Sequence, residues 1–303
     1  MNAERYSRNR RWVDVAAACA LIAIACTKDN ADAAGDNTPA LPPGMQPRIS
    51  TNADAQPPAV PFDPATPRVL AHAIKALPHD TAAYTQGFEV HRGAILESIG
   101  REGASEVREL SRTGGVVGKR AKLPPNEFGE GLAEVGNRIY QLTWRGGRGH
   151  VYDATSLAVV DSFTYDGEGW GLASDGHKLF MSDGTSSIRE IDPQGFRTRR
   201  TFQVTEGGKP VYMLNELEVV GGSLWANIYQ TDFIARIDPA TGKVQGWIDV
   251  SGLLTAAEKA GVTRRGGVAN GIALDSATNR VLLTGKLWPK MFEIDLRAVQ
   301  PAR

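Results

Sequence analysis

Cysteine is almost absent. The 303-residue chain has two, Cys19 and Cys26, and none beyond residue 26. A disulfide framework, a cysteine nucleophile and a thiolate zinc site are therefore excluded from everything downstream. Net charge is also missing, since 34 Lys+Arg balance 34 Asp+Glu. Nucleic acid and anionic membranes select for clustered cations, so neither is expected as the main partner. No apolar run reaches the roughly 20 residues that span a bilayer. The five histidines (His72, His79, His91, His150 and His177) show no metal-ligand spacing with one another. The G-x-S-x-G elbow, the P-loop and the H-E-x-x-H helix are absent as well. Glycine, at 33 residues, is abundant and implies many turns.

The N-terminus carries an export pattern. Arg5, Arg8, Arg10 and Arg11 precede the 11-residue apolar run Val15 to Ala25. A short apolar core behind a basic flank, ending in small residues, is the pattern of a secretory signal. Ala23-Ile24-Ala25-Cys26 resembles a lipobox, although Ala23 stands where leucine is usual. Two outcomes stay open: acylation of Cys26, or ordinary cleavage nearby with an incidental cysteine. Either way residues 1–26 are expected to direct export to a bacterial periplasm, and a membrane enters only through this anchor. Residues 27–67 read as a tether, because nine of the 17 prolines lie between Pro39 and Pro67. Such a segment buries too little apolar surface to offset its ordering entropy.

Residues 68–298 are built on an internal repeat. Gln86-Gly87-Phe88, Glu130-Gly131-Leu132, Trp170-Gly171-Leu172, Asn215-Glu216-Leu217 and Asn270-Gly271-Ile272 place apolar anchors 44, 40, 45 and 55 residues apart. A second marker follows four of the anchors: Tyr152-Asp153, Ile191-Asp192, Ile237-Asp238 and Ile294-Asp295. Short alternating strands with Gly, Asp and Asn turns fill the intervals. Five units of this length, each with room for four strands, predict an all-β, five-bladed β-propeller acting as a monomer. The long fourth interval predicts an insertion over Val250 to Gly267, with helical period only at Leu253 to Ala260.

The register also places candidate chemistry. The first strand of each blade lines the central channel, so the residue two before each anchor faces one mouth. Those residues are Gln86, Glu130, Trp170, Asn215 and Asn270. An equivalent position 12 to 14 residues past the anchor holds Trp144, Tyr229 and Lys286. A carboxylate, three amides, a lysine and three aromatics thus converge. Each also has a structural reading: Glu130 as a cap for backbone amides, the tryptophans as blade packing, Asn215 as a turn residue, Gln86 as blade glue.

Six motifs taken together resemble one family. Tyr84-Thr85-Gln86-Gly87, Phe128-Gly129-Glu130-Gly131-Leu132, Gln141-Leu142-Thr143-Trp144, Glu168-Gly169-Trp170-Gly171-Leu172, Leu214-Asn215-Glu216-Leu217-Glu218 and Leu283-Thr284-Gly285-Lys286-Leu287-Trp288-Pro289 are similar to those of the plant-type glutaminyl-peptide cyclotransferases. The resemblance covers residues 69–296. It implies a five-bladed propeller that converts the N-terminal glutamine of peptides and proteins to pyroglutamate with loss of ammonia, without a cofactor. It also implies Glu130 as the essential carboxylate, Asn215 and Lys286 beside it, and Tyr84, Gln86, Phe128, Trp144, Trp170 and Tyr229 as the substrate pocket. Tyr84 and Tyr229 depart from the phenylalanine and tryptophan of plant members, which affects pocket size.

Glu130 is expected to shuttle the proton from the attacking α-amine to the departing nitrogen, while Asn215, Gln86 and Lys286 hold the γ-carbonyl. Two other readings stay open on the residues alone. One is a propeller lactonase in which Glu130, Asn215 and Asn270 hold calcium, a reading that the nearby Lys286 disfavours. The other is a propeller that only presents a binding surface.

Overall fold

The computed structural model describes residues 59–295. Residues 1–26, read from sequence as an export signal, most of the stretch read as a tether, and positions 296–298 lie outside the described residues. Five sheets of at least four strands make up the body. In each, four strands lie antiparallel from the inside outward. The innermost strands are Thr85–His91, Gly129–Val135, Leu172–Ser174, Leu214–Val220 and Ala269–Asp275. Each touches the next, and the fifth touches the first, so the ring closes as a five-bladed β-propeller.

Local sequence explains the blades. Between the first and second strands, tight turns reverse the chain at Arg92-Gly93 (φ 48° and 82°) and Gly221-Gly222 (φ 58° and 81°). Positive φ at both central residues matches the right-handed twist of the flanking strands. Apolar side chains then alternate toward the neighbouring blades. The repeat anchors Phe88, Leu132, Leu172, Leu217 and Ile272 are all at most 3% exposed. Each blade-to-blade interface has its own apolar cluster, five in all. Full burial of a large apolar side chain contributes roughly 1.5–3 kcal/mol, so these interfaces, rather than any cross-link, hold the described fold together.

Ring closure comes from the N-terminal side. The last repeat supplies only three strands, and Ala73–Pro78 pairs antiparallel with Lys290–Asp295 to complete it. Arg68–Leu70 adds a parallel outer strand to the fourth blade. The nine residues before it, 59–67, belong to the stretch read from sequence as tether, yet they lie on this blade. Phe62 is the reason: its ring packs edge-on against Phe233 and Trp247 at 4.8 and 5.2 Å.

The insertion in the fourth interval is a helix, Ala256–Arg264, starting three residues later than its sequence period suggested. Thr255 caps it, and Glu258 returns the bond to the Thr255 backbone. This reciprocal capping fixes the start, while Leu253 and Leu254 pack into the core ahead of it.

Four innermost strands are bulged where they begin. Pairing slips between Thr85 and Gly87, Gly129 and Leu132, Leu214 and Leu217, and Ala269 and Ile272. A bulge leaves a residue out of the ladder and re-aims its side chain. Gln86, Glu130, Asn215 and Asn270 sit in these slips, at one end of the central channel.

Candidate active site

A cavity of about 650 Å³ opens at that end. Glu130, Gln86, Asn215 and Lys286 line it, together with Tyr84, Phe128, Trp144, Trp170 and Tyr229. The volume suits a small side chain with its flanking backbone. The nine expected site residues are thus brought to one place. Thr81, Ala82, Arg101, Glu102, Arg265 and Leu287 form a rim that register alone did not indicate.

The polar floor is a connected chain. Lys286 Nζ donates to Gln86 Oε1 and to the Thr85 carbonyl, the latter at 3.1 Å. Gln86 Nε2 donates to Glu130 Oε1 at 3.2 Å. Gln86 therefore links the lysine to the carboxyl group and keeps one amide hydrogen unspent. Behind Glu130, the Tyr152 hydroxyl donates to Gln141 Oε1, Gln141 Nε2 to Ser98 Oγ, and Ser98 Oγ to the Glu130 carbonyl, at 2.7, 2.7 and 2.5 Å. That relay fixes the bulge from which Glu130 projects.

Glycine permits this close approach. A Cβ on Gly131 would stand 2.4 Å from the Leu172 nitrogen of the next blade. The fourth repeat breaks the pattern by placing Glu216 where the others have glycine. Its buried carboxylate accepts from the Ile272 N–H of the fifth blade at 3.0 Å.

Asn215 and Asn270 diverge in spite of their matching register. Asn270 lies outside the cavity lining and donates through Nδ2 to the Thr85 carbonyl at 2.9 Å, which makes it a clamp under the floor. Asn215 lines the cavity, is 3% exposed, and its Oδ1 has no hydrogen-bond partner. An unpartnered buried acceptor costs about 1–3 kcal/mol. The Asn270 Oδ1 is likewise buried without a partner, so the orphaned acceptor is not peculiar to the cavity lining.

Burial sets the electrostatics. Desolvation pushes the Glu130 carboxyl well above its ordinary range; attraction from Lys286 opposes the rise and repulsion from Glu168 adds to it. Desolvation also lowers Lys286 to about 7, against the attraction of Glu130 and Glu216. Both shifts favour the neutral forms. Burial raises the Tyr84 and Tyr229 hydroxyls, which also interact with each other. Lys286 Nζ lies 4.7 Å from the Tyr84 ring centroid.

A buried ion cluster braces this floor from outside, and register gave no sign of it. Glu97 Oε1 accepts from Thr85 Oγ1 at 2.7 Å and from His79 Nε2 at 2.9 Å, and Oε2 accepts from Arg108 Nε at 2.9 Å. His79 Nδ1 meets the Trp288 carbonyl at 2.9 Å. An imidazole with an acceptor at both nitrogens must donate from both, which makes it a cation. Burial alone would lower its pKa, but attraction and hydrogen bonding from Glu97 outweigh that and hold it above the ordinary value. Glu97 is likewise held below its ordinary value, as His79, Arg108 and Thr85 outweigh its desolvation.

Comparisons with known proteins agree with this architecture. The glutamine cyclotransferase family model matches residues 48–296. A glutaminyl-peptide cyclotransferase of Arabidopsis thaliana is 42% identical over 238 residues, which are 75% of this chain and 73% of the relative. The crystal structure of Myxococcus xanthus glutaminyl cyclase superposes with a TM-score of 0.71 at 40% identity, covering 76% of this chain and 97% of the other. Fold, motif order and matched length coincide, and the chain belongs to the glutamine cyclotransferase family.

Proposed function

We propose that this pocket cyclises the N-terminal glutamine of peptides and proteins to pyroglutamate, with Glu130 moving the proton. Family membership supports the reaction class. The observation that carries the mechanism is a single buried carboxyl, held above its ordinary pKa, at the base of an aromatic-walled cavity.

The α-amine of the substrate attacks the carbon of its own γ-carboxamide. A ring C–N bond forms, the bond to the amide nitrogen breaks, and ammonia leaves. An α-amine has a pKa of about 7.7–8.0, so a neutral fraction exists near pH 7 without activation. The amide nitrogen cannot depart as an anion and needs a proton, while the attacking nitrogen has one to lose. Glu130 takes the proton from the attacking nitrogen and delivers it to the departing one, so one carboxyl serves as base and then as acid. A pKa near the working pH makes both transfers feasible. Gln86, through its unspent amide hydrogen, and Lys286 stabilise the developing oxyanion. The aromatic walls fold the flexible side chain toward a near-attack geometry. Only a chain terminus carries the required amine, so an internal glutamine is not a substrate.

Asn215 joins Gln86 and Lys286 at the γ-carbonyl. Its side-chain amide lies in the same lining as Glu130 and can hold the γ-carboxamide in place during attack. Asn215→Ala should therefore lower kcat/KM by about 10- to 100-fold, since misplacing a reacting group costs that much. Steady-state kinetics on a Gln-initiated dipeptide reads this effect. Wild-type kcat/KM in the variant would remove Asn215 from the scheme.

The function itself is tested by incubating the purified protein with such a dipeptide, and with the same dipeptide acetylated at its amine. One ammonia per free-amine peptide is expected, with or without chelator, and none from the acetylated one. Chelator-sensitive turnover would favour the lactonase-like arrangement. No ammonia from either peptide would overturn the proposal.

A further inference from the structure

Five aromatic side chains ring the cavity mouth, and three pairs of them are in ring contact. Tyr84 meets Phe128 edge-on at 6.4 Å, and Phe128 meets Trp144 at 5.8 Å. Trp170 meets Tyr229 edge-on at 5.6 Å, and the Tyr229 hydroxyl interacts with that of Tyr84. The remaining link, between Trp144 and Trp170, runs through a carboxylate. Glu168 Oε2 accepts from Trp144 Nε1 at 2.8 Å and from Trp170 Nε1 at 3.0 Å.

The position of Glu168 is built for this. It lies in the connection between the outermost strand of the second blade, Val159–Thr164, and the innermost strand of the third, Leu172–Ser174. Gly169 N donates to the Trp144 carbonyl at 3.1 Å, and Trp170 N donates to the Ser182 carbonyl at 3.0 Å. The connection is thereby tied to both blades, with Glu168 between two indoles that belong to different ones. On the outer side, the Arg145 guanidinium lies 3.7 Å from the Trp144 ring centroid, and its Nε reaches Glu168 Oε1 at 3.4 Å. Arg145 is largely exposed, so that ion pair adds little on its own. The two indole bonds are charge-assisted and stronger than neutral ones.

We propose that Glu168 is a positioning residue of the cyclisation pocket: its carboxylate, shared by the Trp144 and Trp170 indoles, closes the aromatic collar and sets its diameter. This rests on the reading of the pocket given above. Glu168 does not reach the reacting atoms. It acts through the two rings, which must fold a flexible glutamine side chain so that amine and carboxamide carbon meet. Loosening one side of the collar should leave the substrate bound but less often in the reactive shape. The loss then falls mainly on kcat.

The test compares wild type, Glu168→Ala and Glu168→Gln by kinetics and by ¹⁵N NMR of the indole N–H groups, with Trp144→Phe and Trp170→Phe assigning the two resonances. Glu168→Gln keeps an acceptor oxygen without the charge. The alanine variant should lose about 30- to 100-fold in kcat/KM, mostly in kcat, consistent with a displaced reacting geometry. It should shift both indole resonances and speed their exchange with solvent. The glutamine variant should hold both resonances hydrogen-bonded and recover kcat to within about fivefold of wild type, because its acceptor preserves that geometry. If the alanine variant does not fold, the glutamine variant decides by the same two measurements. Wild-type kcat in the alanine variant, lost activity with unmoved indole resonances, or a glutamine variant without the two indole bonds would each overturn the clamp. Ammonia release by the wild-type protein is the internal control: its absence sinks the functional reading, whereas its presence with an unaffected alanine variant sinks only this inference.

Discussion

Glu130→Gln should lower kcat/KM by about 10³- to 10⁴-fold while the protein stays folded. General acid–base catalysis by one positioned group contributes roughly 10²–10⁴, and here a single carboxyl is asked for both transfers. At about 1.36 kcal/mol per decade, the loss corresponds to roughly 4–5.5 kcal/mol of transition-state stabilisation. The substitution is nearly isosteric, and the new amide oxygen still accepts from Gln86, so pocket shape should persist. Stability should not fall. Burial raises the Glu130 carboxyl above its ordinary value of 4.5. Between that value and the raised one, the unfolded chain releases a proton that the folded chain keeps. Stability therefore declines as pH rises through this window, and an amide removes the decline. A thermal midpoint at pH 7 equal to or above wild type, together with the kinetic loss, is the expected pair of results. Activity within tenfold of wild type would remove Glu130 as the shuttle.

Glu97→Ala should cost about 3–5 kcal/mol of folding stability, the usual consequence of leaving a buried charge without its partner. Here buried His79 loses its carboxylate, and buried Arg108 keeps only Asp80 at 3.0 Å and Glu106 at 3.9 Å. Domains have only about 5–15 kcal/mol to lose, so a large drop in the urea midpoint is expected. The loss should also reach the pocket. Thr85 would lack the acceptor for its hydroxyl, and the Thr85 carbonyl receives both Lys286 and Asn270.

The pH dependence of that stability has a definite sign. The raised His79 contributes fully below its ordinary 6.5, and the contribution is lost as pH climbs through the folded value. The lowered Glu97 contributes above its ordinary 4.5, and the contribution is lost as pH falls through the folded value. The network is thus fully effective between those two ordinary values. Urea unfolding across pH should show this maximum in the wild type and a flatter profile in the variant. An unchanged midpoint in Glu97→Ala would show that the cluster does not brace the floor.

Much of the architecture was legible because it is local. Glycine turns such as Gly221-Gly222 and the anchors Phe88 to Ile272 repeat at fixed offsets, and offsets in a chain are what a sequence displays. The closing strand Ala73–Pro78 was not legible. Five of its six residues are exposed and show no alternation, so only its pairing with the far end of the chain reveals it. Convergence of the pocket residues followed from register, but roles within the pocket did not. Asn215 and Asn270 share a register position, yet Asn270 turns under the floor beside Gly271, whose φ is +131°. Glu168 stood in a recognised motif without a role, because the directions of two indoles cannot be read from spacing. Glu97 and His79 form their pair through strand packing that no short pattern encodes.

The central claim is that burial poises Glu130 to hold and release a proton near working pH. Its direct test is a ¹³C NMR titration of the protein labelled at the glutamate carboxyl carbons, with Glu130→Gln identifying the resonance. The account predicts a Glu130 carboxyl that titrates well above 4.5 in the ligand-free protein, and that moves higher still in Lys286→Met, where the opposing positive charge is gone. A Glu130 signal titrating in the ordinary carboxylate range, near 4.3, and unmoved by loss of Lys286, would contradict it.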